Sequence, residues 1–72
     1  MDRQELVNRF TYHAPQGDQP ARYTQLRGYG LVMASLIEYL VPESRERDMA
    51  IERVEEAIMW GNAGIARRSG GD

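Results

Sequence analysis

Pro42 separates two long stretches in which apolar residues recur at helical spacing, and this break constrains the fold more than any other feature. Because proline disfavours helical backbone at the preceding residue, we expect the first stretch to end at Val41. Ser44 is a typical N-cap residue and opens the second stretch, which reaches about Arg68 before a Ser-Gly-Gly stop. Two long helices joined by a short turn must pack antiparallel. The predicted segments are helices at 19–41 and 44–68 and a tail at 69–72.

A shorter helix is predicted at the N terminus, over residues 1–11. Asp2 and Glu5 form a capping-box-like start, and three apolar residues then share one helical face: Leu6, Val7 and Phe10. A helix of about ten residues is unstable alone in water, so it must dock on its own chain or on a neighbour.

Turn-forming residues follow this first helix and predict a loop at 12–18. At its end Asp18 is a candidate N-cap for the long helix, and Pro20 is tolerated in the first turn, where its missing N–H would be unpaired anyway.

The apolar residues of the long helix before Pro42 fall on two adjacent faces. One face comprises Leu26, Gly30, Met33, Ile37 and Leu40, and the other comprises Tyr29, Val32, Leu36 and Tyr39. The last helix can cover only one of these faces. The other therefore predicts a contact between subunits.

Small residues mark where the helices approach closely. Gly28 and Gly30 each cost about 1 kcal/mol relative to alanine inside a helix, which predicts a kink or a close approach there. The last helix has a core stripe and, beside it, a row of small residues: Ile51, Val54, Ile58 and Ile65, then Ala50, Ala57, Gly61 and Gly64. Trp60 projects from neither row, so we expect it to seal the end of the hairpin or to lie between subunits.

The chain has 72 residues and no cysteine, and a chain this short buries only about 60% of its unfolded surface. Such chains normally need disulfides, a metal or a partner subunit. Disulfides are excluded, and a single histidine leaves only carboxylate-based metal sites. We therefore predict an all-α homo-oligomer in which a short N-terminal helix precedes a long antiparallel hairpin.

Charge and hydropathy exclude several classes of partner. A net charge of −2 and a pI near 5.3 argue against binding duplex nucleic acid, although small anions remain candidates. All nine basic residues are arginine, which suits bidentate phosphate recognition and equally fits a bias in base composition. The sequence has no apolar run near 18 residues and no leader-like start, so it predicts neither a membrane span nor a secretory signal. A cytoplasmic setting is therefore expected.

No catalytic constellation emerges from the sequence. His13 is the sole imidazole, and no strand-to-helix elbow surrounds any serine or threonine. Glu52, Glu55 and Glu56 fit a solvated helix face. The sequence therefore predicts a ligand-binding protein without catalytic residues, metal or cofactor.

Residues 8–15 concentrate the chemistry of the chain, since they hold the only phenylalanine, the only histidine and a tyrosine near an arginine. Aromatic rings stack on planar ligands, and guanidinium and imidazole groups bind phosphates. In the alternative, purely structural interpretation, Phe10 is a core anchor, Tyr12 is half-buried and His13 is satisfied by the backbone. The basic pair Arg67 and Arg68 also has a structural interpretation, because cations suit a helix C terminus.

Four segments taken together resemble the hairpin domain shared by phage anti-CBASS and phage anti-Thoeris proteins, the cyclic-nucleotide sponges. They are residues 8–15, 19–20 with Tyr23 and Arg27, 42–46, and 55–67. Members of that family are helical hairpins assembled as homo-hexamers. They sequester the cyclic oligonucleotide signals of bacterial immunity without degrading them.

This resemblance implies a sponge for cyclic dinucleotides such as 3′,3′-cGAMP, with cyclic trinucleotides as a second ligand class, that blocks CBASS signalling in the cytoplasm of the infected host. It also leaves open an anti-Thoeris sponge for a cyclic ADP-ribose isomer. From a different class, a structural or regulatory helical oligomer that binds a protein partner is the remaining alternative.

The resemblance also implies the site residues. The base-stacking tyrosine would be Tyr12, with His13, Phe10 and Arg9 around it, and the phosphate-binding basic residue of the long helix would be Arg27.

A second site, for cyclic trinucleotides, uses an arginine near the end of the last helix. Arg68 is the candidate and Arg67 the alternative. In the family that site also uses a hydroxyl residue near the start of the long helix, where this chain reads Gly28-Tyr29-Gly30.

Overall fold

A computed structural model describes residues 1–68 of the chain. It contains three helices, α1 (Arg3–Phe10), α2 (Gln19–Leu40) and α3 (Arg45–Arg68), and no strand within the described range. The all-helical fold class is thus confirmed. The tail expected at 69–72 lies outside the described residues.

The turn between α2 and α3 forms around Pro42. Val41 ends α2 in extended backbone, and its N–H donates to the carbonyl of Ile37 at 3.0 Å. Ser44 caps α3, because its Oγ accepts from the N–H of Arg47 at 3.1 Å. Local sequence chemistry therefore sets both ends of the turn, and the two long helices fold back on each other.

Two glycines allow close packing between α2 and α3. A Cβ on Gly30 would lie 2.7 Å from Cγ1 of Ile58, and one on Gly61 would lie 2.6 Å from Cδ2 of Leu26. By contrast, a Cβ on Gly28 or Gly64 would meet nothing within 4 Å. The close approach expected from the glycines of α2 is therefore real at Gly30 and is made to a side chain of α3.

The described chain encloses no hydrophobic core. Its backbone measures 44 × 28 × 13 Å, and the shortest extent is that of a single layer of helices. Of the large apolar side chains in residues 1–68, none is buried. On α2 the second apolar face is exposed: Tyr29, Val32, Leu36 and Tyr39. Met33 and Leu40 of the first apolar face are also exposed, because one neighbouring helix covers only a narrow strip of another.

The start of α2 is held by Gln19 and not by Asp18. Asp18 occupies the N-cap position, but its side chain makes no capping hydrogen bond and its carboxylate pairs instead with Arg22 at 3.3 Å. Gln19 is only 3% exposed. Its Oε1 accepts from the N–H of Gln16 at 2.9 Å, and its Nε2 donates to the carbonyl of Ile65 at 3.3 Å. The first residue of α2 is thereby joined to the last turns of α3.

α1 is capped as expected but docks differently. Asp2 Oδ1 accepts from the N–H of Glu5 at 2.8 Å. The apolar face predicted to dock is exposed at all three positions: Leu6, Val7 and Phe10. An ion pair between Glu5 and Arg68 joins α1 to the end of α3. Of the two expected docking partners for this face, its own chain or a neighbour, the described residues of its own chain do not cover it.

Candidate functional site

The aromatic residues of the connection between α1 and α2 project into solvent. Phe10 is 84% exposed and Tyr12 is 83% exposed. The structural interpretation of Phe10 as a core anchor and Tyr12 as a half-buried residue is therefore wrong for this chain. Two unburied rings two residues apart are free to stack on a planar ligand or to pack against another subunit.

His13 is the residue of this stretch whose ring is hydrogen-bonded within the chain. The ring is partly buried, and its Nε2 lies 2.9 Å from the carbonyl oxygen of Asn8. Since a carbonyl can only accept, Nε2 donates and carries the proton. This bond folds the segment after α1 back onto the helix end and leaves Nδ1 as the ring atom for other contacts.

Arg27 lies apart from these rings, in a groove between α2 and α3. The groove has a volume of about 420 Å³ and an apolar floor that includes Leu31. Glu52 and Glu55 line its α3 side. Tyr12 does not line this groove, so the structure does not bring the two residues of the implied dinucleotide site together there.

The same groove contains a polar atom without a partner. Asn62 Oδ1 is buried and accepts no hydrogen bond from residues 1–68. A buried acceptor without a donor costs roughly 1 to 3 kcal/mol. The atoms of the chain itself enclose this oxygen, and nothing in the helical pattern of the sequence indicated it.

A cluster of arginines gathers where α1 meets the end of α3; we call Arg9, Arg67 and Arg68 the arginine cluster. Arg68 donates Nη1 to Glu5 Oε1 at 2.9 Å and Nη2 to Glu5 Oε2 at 2.7 Å. Arg9 donates its Nε to the same Oε2 at 2.7 Å. Arg67, half-buried beside them, has no ion-pair partner within residues 1–68.

Glu5 is therefore the carboxylate around which the cluster is organised. Hydrogen bonds from Arg68 and then Arg9 lower the pKa of Glu5 from 4.5 to about 2. The hydrogen bond to Glu5 in turn raises the pKa of Arg68. The sequence indicated Glu5 only as part of the start of α1, and its contact with Arg68 was not predicted. The spacing of Glu5 and Arg9, four apart on one helix, was the available signal.

Two clefts border the arginine cluster. One, of about 250 Å³, is lined by Trp60, Ala63 and Gly64 together with all three arginines. The other, of about 510 Å³, lies between Glu5, Asn8 and the end of α3. Trp60 is 64% exposed, and its Nε1 donates to Glu56 Oε2 at 3.4 Å. It does not seal the end of the hairpin in the single chain, so that alternative is wrong.

The described residues present no metal or membrane feature. No group of three or more histidine, cysteine, aspartate or glutamate side chains in residues 1–68 is placed to hold a metal ion. Within the same range, every helix is too short or too polar to cross a membrane.

Comparison with known protein families gives a match over most of the chain. The sequence profile of the family described as "Acb2/Tad1, hairpin domain" matches residues 1–66. No curated protein and no solved structure matches the chain. The matched range contains all three helices except the last two residues of α3. It also includes Tyr12, Arg27 and the turn at Pro42. The chain therefore belongs to the Acb2/Tad1 hairpin domain family.

Proposed function

We propose that this chain is a phage anti-defence sponge, which binds cyclic oligonucleotide second messengers and sequesters them without cleavage. The observation that carries this proposal is the family match over residues 1–66. The proposed ligands are cyclic dinucleotides such as 3′,3′-cGAMP, and the consequence is a block of CBASS signalling in the cytoplasm of the infected bacterium.

The exposed residues of the structure support a ligand of this chemistry. A cyclic dinucleotide carries two bases and two phosphates, so its recognition calls for aromatic surfaces and guanidinium groups. Tyr12 and Phe10 supply exposed rings, and Arg27 supplies a guanidinium on the surface of the hairpin. In this proposal Tyr12 stacks on a base, with His13 beside it, and Arg27 binds a phosphate.

Because Arg27 lies in a groove that Tyr12 does not line, the proposed site is completed by a second subunit. The exposed apolar face of α2 supports such an assembly. Each exposed aromatic residue is a large apolar area that association would remove from water. We propose a homo-oligomer, with the hexamer of the family as the assembly.

A second candidate follows from the other half of the family description. The matched domain is named after two proteins, Acb2 and Tad1. The name Tad1 supports an anti-Thoeris sponge for a cyclic ADP-ribose isomer. This ligand also offers a base and phosphates, so the same residue types would serve.

Native mass spectrometry tests both candidates. The protein is mixed with a panel of cyclic dinucleotides, cyclic trinucleotides and a cyclic ADP-ribose isomer, and the mass of the bound species is read on the intact assembly. We expect a retained cyclic dinucleotide and a mass that is a multiple of the 8.2 kDa chain. A protein that retains no member of the panel would contradict the sponge function.

Sequestration is distinguished from catalysis by recovery of the ligand. After hours with excess 3′,3′-cGAMP the protein is denatured by heat, and the released ligand is separated by chromatography. All of it should be the intact cyclic species. Linear product beyond one equivalent per site would indicate an enzyme, and His13 would be the first residue to replace.

A further inference from the structure

The carboxylate of Glu5 binds the arginine cluster in the way that the phosphate of a ligand would. Its two carboxylate oxygens accept from the two terminal nitrogens of Arg68 at 2.9 and 2.7 Å, which is the bidentate geometry by which arginine also binds phosphate. The Nε of Arg9 approaches one of these oxygens at 2.7 Å. The carboxylate therefore occupies the guanidinium edges that a phosphate would use.

We propose, on the basis of the proposed sponge function, that Glu5 is a built-in competitor for phosphate at the arginine cluster and sets the charge that a ligand needs to bind there. A ligand phosphate takes the place of the Glu5 carboxylate on Arg68. When the ligand carries more than one phosphate, Arg9 and Arg67 bind the additional phosphates. A weakly charged anion does not displace the carboxylate.

The environment of this contact makes such an exchange feasible. The side chain of Arg68 is 58% exposed and that of Glu5 is 22% exposed, so the pair lies at the surface. Because solvent reaches the guanidinium of Arg68, a competing anion can approach it without the chain unfolding. Arg67 is already without an ion-pair partner in residues 1–68 and lines both clefts beside the pair.

The exchange also frees α1. This helix has eight residues, its apolar face is exposed, and the Glu5–Arg68 ion pair ties it to α3. A helix of this length is marginal without tertiary contacts. Displacement of Glu5 therefore loosens α1, which leads into Tyr12. A ligand bound at the arginine cluster thus changes the mobility of the segment that contains Tyr12.

Trp60 provides a local readout, because it is the only tryptophan of the chain and lines the same cleft as the three arginines. Its fluorescence is followed while pyrophosphate, and separately cyclic tri-AMP, is added to the assembled protein. The variants are Glu5→Gln and, as a matched control, Glu43→Gln. Glu43 lies in the turn before α3, which places it roughly 36 Å from the cluster for a helix of 24 residues.

Glu5→Gln should raise the affinity for both probes by roughly threefold to tenfold, as expected for loss of a surface carboxylate that holds two arginines. Glu43→Gln removes the same charge and should change the affinity less than twofold. The amide signals of α1 in the parent protein should broaden or shift as pyrophosphate binds. No gain in Glu5→Gln with either probe, including no binding at all, would overturn the proposal.

The two probes separate the proposal from the sponge function. If pyrophosphate follows the expected order and cyclic tri-AMP binds to no variant, Glu5 is a competitor and cyclic trinucleotides are not ligands of this cluster. If cyclic tri-AMP binds the parent tightly and neither probe binds Glu5→Gln more tightly than the parent, the sponge function stands and the role of Glu5 is refuted.

Discussion

Gly30 of α2 lies directly against Ile58 of α3, so that a methyl group at Gly30 would sit 2.7 Å from Cγ1 and 2.8 Å from Cδ1 of the isoleucine. Real Cβ atoms do not approach other heavy atoms so closely. Gly30 thus lets Ile58 of α3 pack directly on the backbone of α2, and Gly61 gives Leu26 of α2 the same access to the backbone of α3.

This contact predicts opposite effects for two neighbouring glycines. Gly30→Ala should destabilise the hairpin, because overpacking costs about 1 to 3 kcal/mol and outweighs a gain of about 1 kcal/mol in helix propensity. Gly28→Ala is the matched control, since its Cβ would meet nothing within 4 Å. It should stabilise the protein by up to about 1 kcal/mol. Chemical denaturation of both variants measures the difference, and equal stability would contradict the packing described.

The ion pair of Glu5 predicts a dependence on pH with a definite sign. The pKa of Glu5 is lowered in the folded protein from 4.5 to about 2 by Arg68 and Arg9. The stabilisation from the charged carboxylate is therefore fully present above pH 4.5 and is lost as the pH falls toward 2. Side-chain NMR of Glu5 should show a midpoint near pH 2.

Removal of the main partner should raise that midpoint. In Arg68→Gln the pKa of Glu5 should move up toward its ordinary value, since the largest cause of the shift is gone. Arg67→Gln serves as a control, because Arg67 lines the adjoining cleft but makes no hydrogen bond to Glu5 in the structure. An unchanged midpoint in Arg68→Gln would show that the two side chains do not pair in solution.

The exposed face of α2 predicts an assembly that a single charge can disrupt. Leu36→Glu places a carboxylate in the middle of that face, and burying it against a second copy would carry a desolvation penalty of several kcal/mol. Light scattering should show a shift toward the 8.2 kDa monomer. Glu38→Gln, at an exposed polar position of the same helix, should leave the assembly intact. A parent protein that is a stable monomer at micromolar concentration would contradict the shared site.

The proposed dinucleotide site predicts separate effects of stacking and charge. Tyr12→Ala should weaken binding of 3′,3′-cGAMP by about 1 to 3 kcal/mol per stacked base, whereas Tyr12→Phe should keep most of the affinity because the ring remains. Arg27→Ala should weaken binding and also flatten its dependence on salt. Calorimetry at two ionic strengths measures the binding affinity and its dependence on salt. Parent-like binding by Tyr12→Ala and Arg27→Ala in an intact oligomer would place the site elsewhere.

Much of the fold was determined by the sequence through local chemistry. Pro42 and Ser44 specify the turn because one excludes helical backbone before it and the other caps the helix after it, and both effects act within a few residues. Helical periodicity likewise predicts an all-α chain without knowledge of what each helix contacts. Each segment of the family resemblance is a short continuous run, so it too can be recognised from the sequence alone.

Only the tertiary structure decided which residues meet across the fold. Glu5 and Arg68 are 63 positions apart, and Gln19 and Ile65 are 46 apart. No periodicity relates such pairs, because their contact depends on how far α3 extends past the start of α2 and on the path of the connection from α1. The same geometry left Phe10 and Tyr12 in solvent. A sequence determines which side chains are able to form such contacts, and packing of the helices determines which of them are close enough to do so.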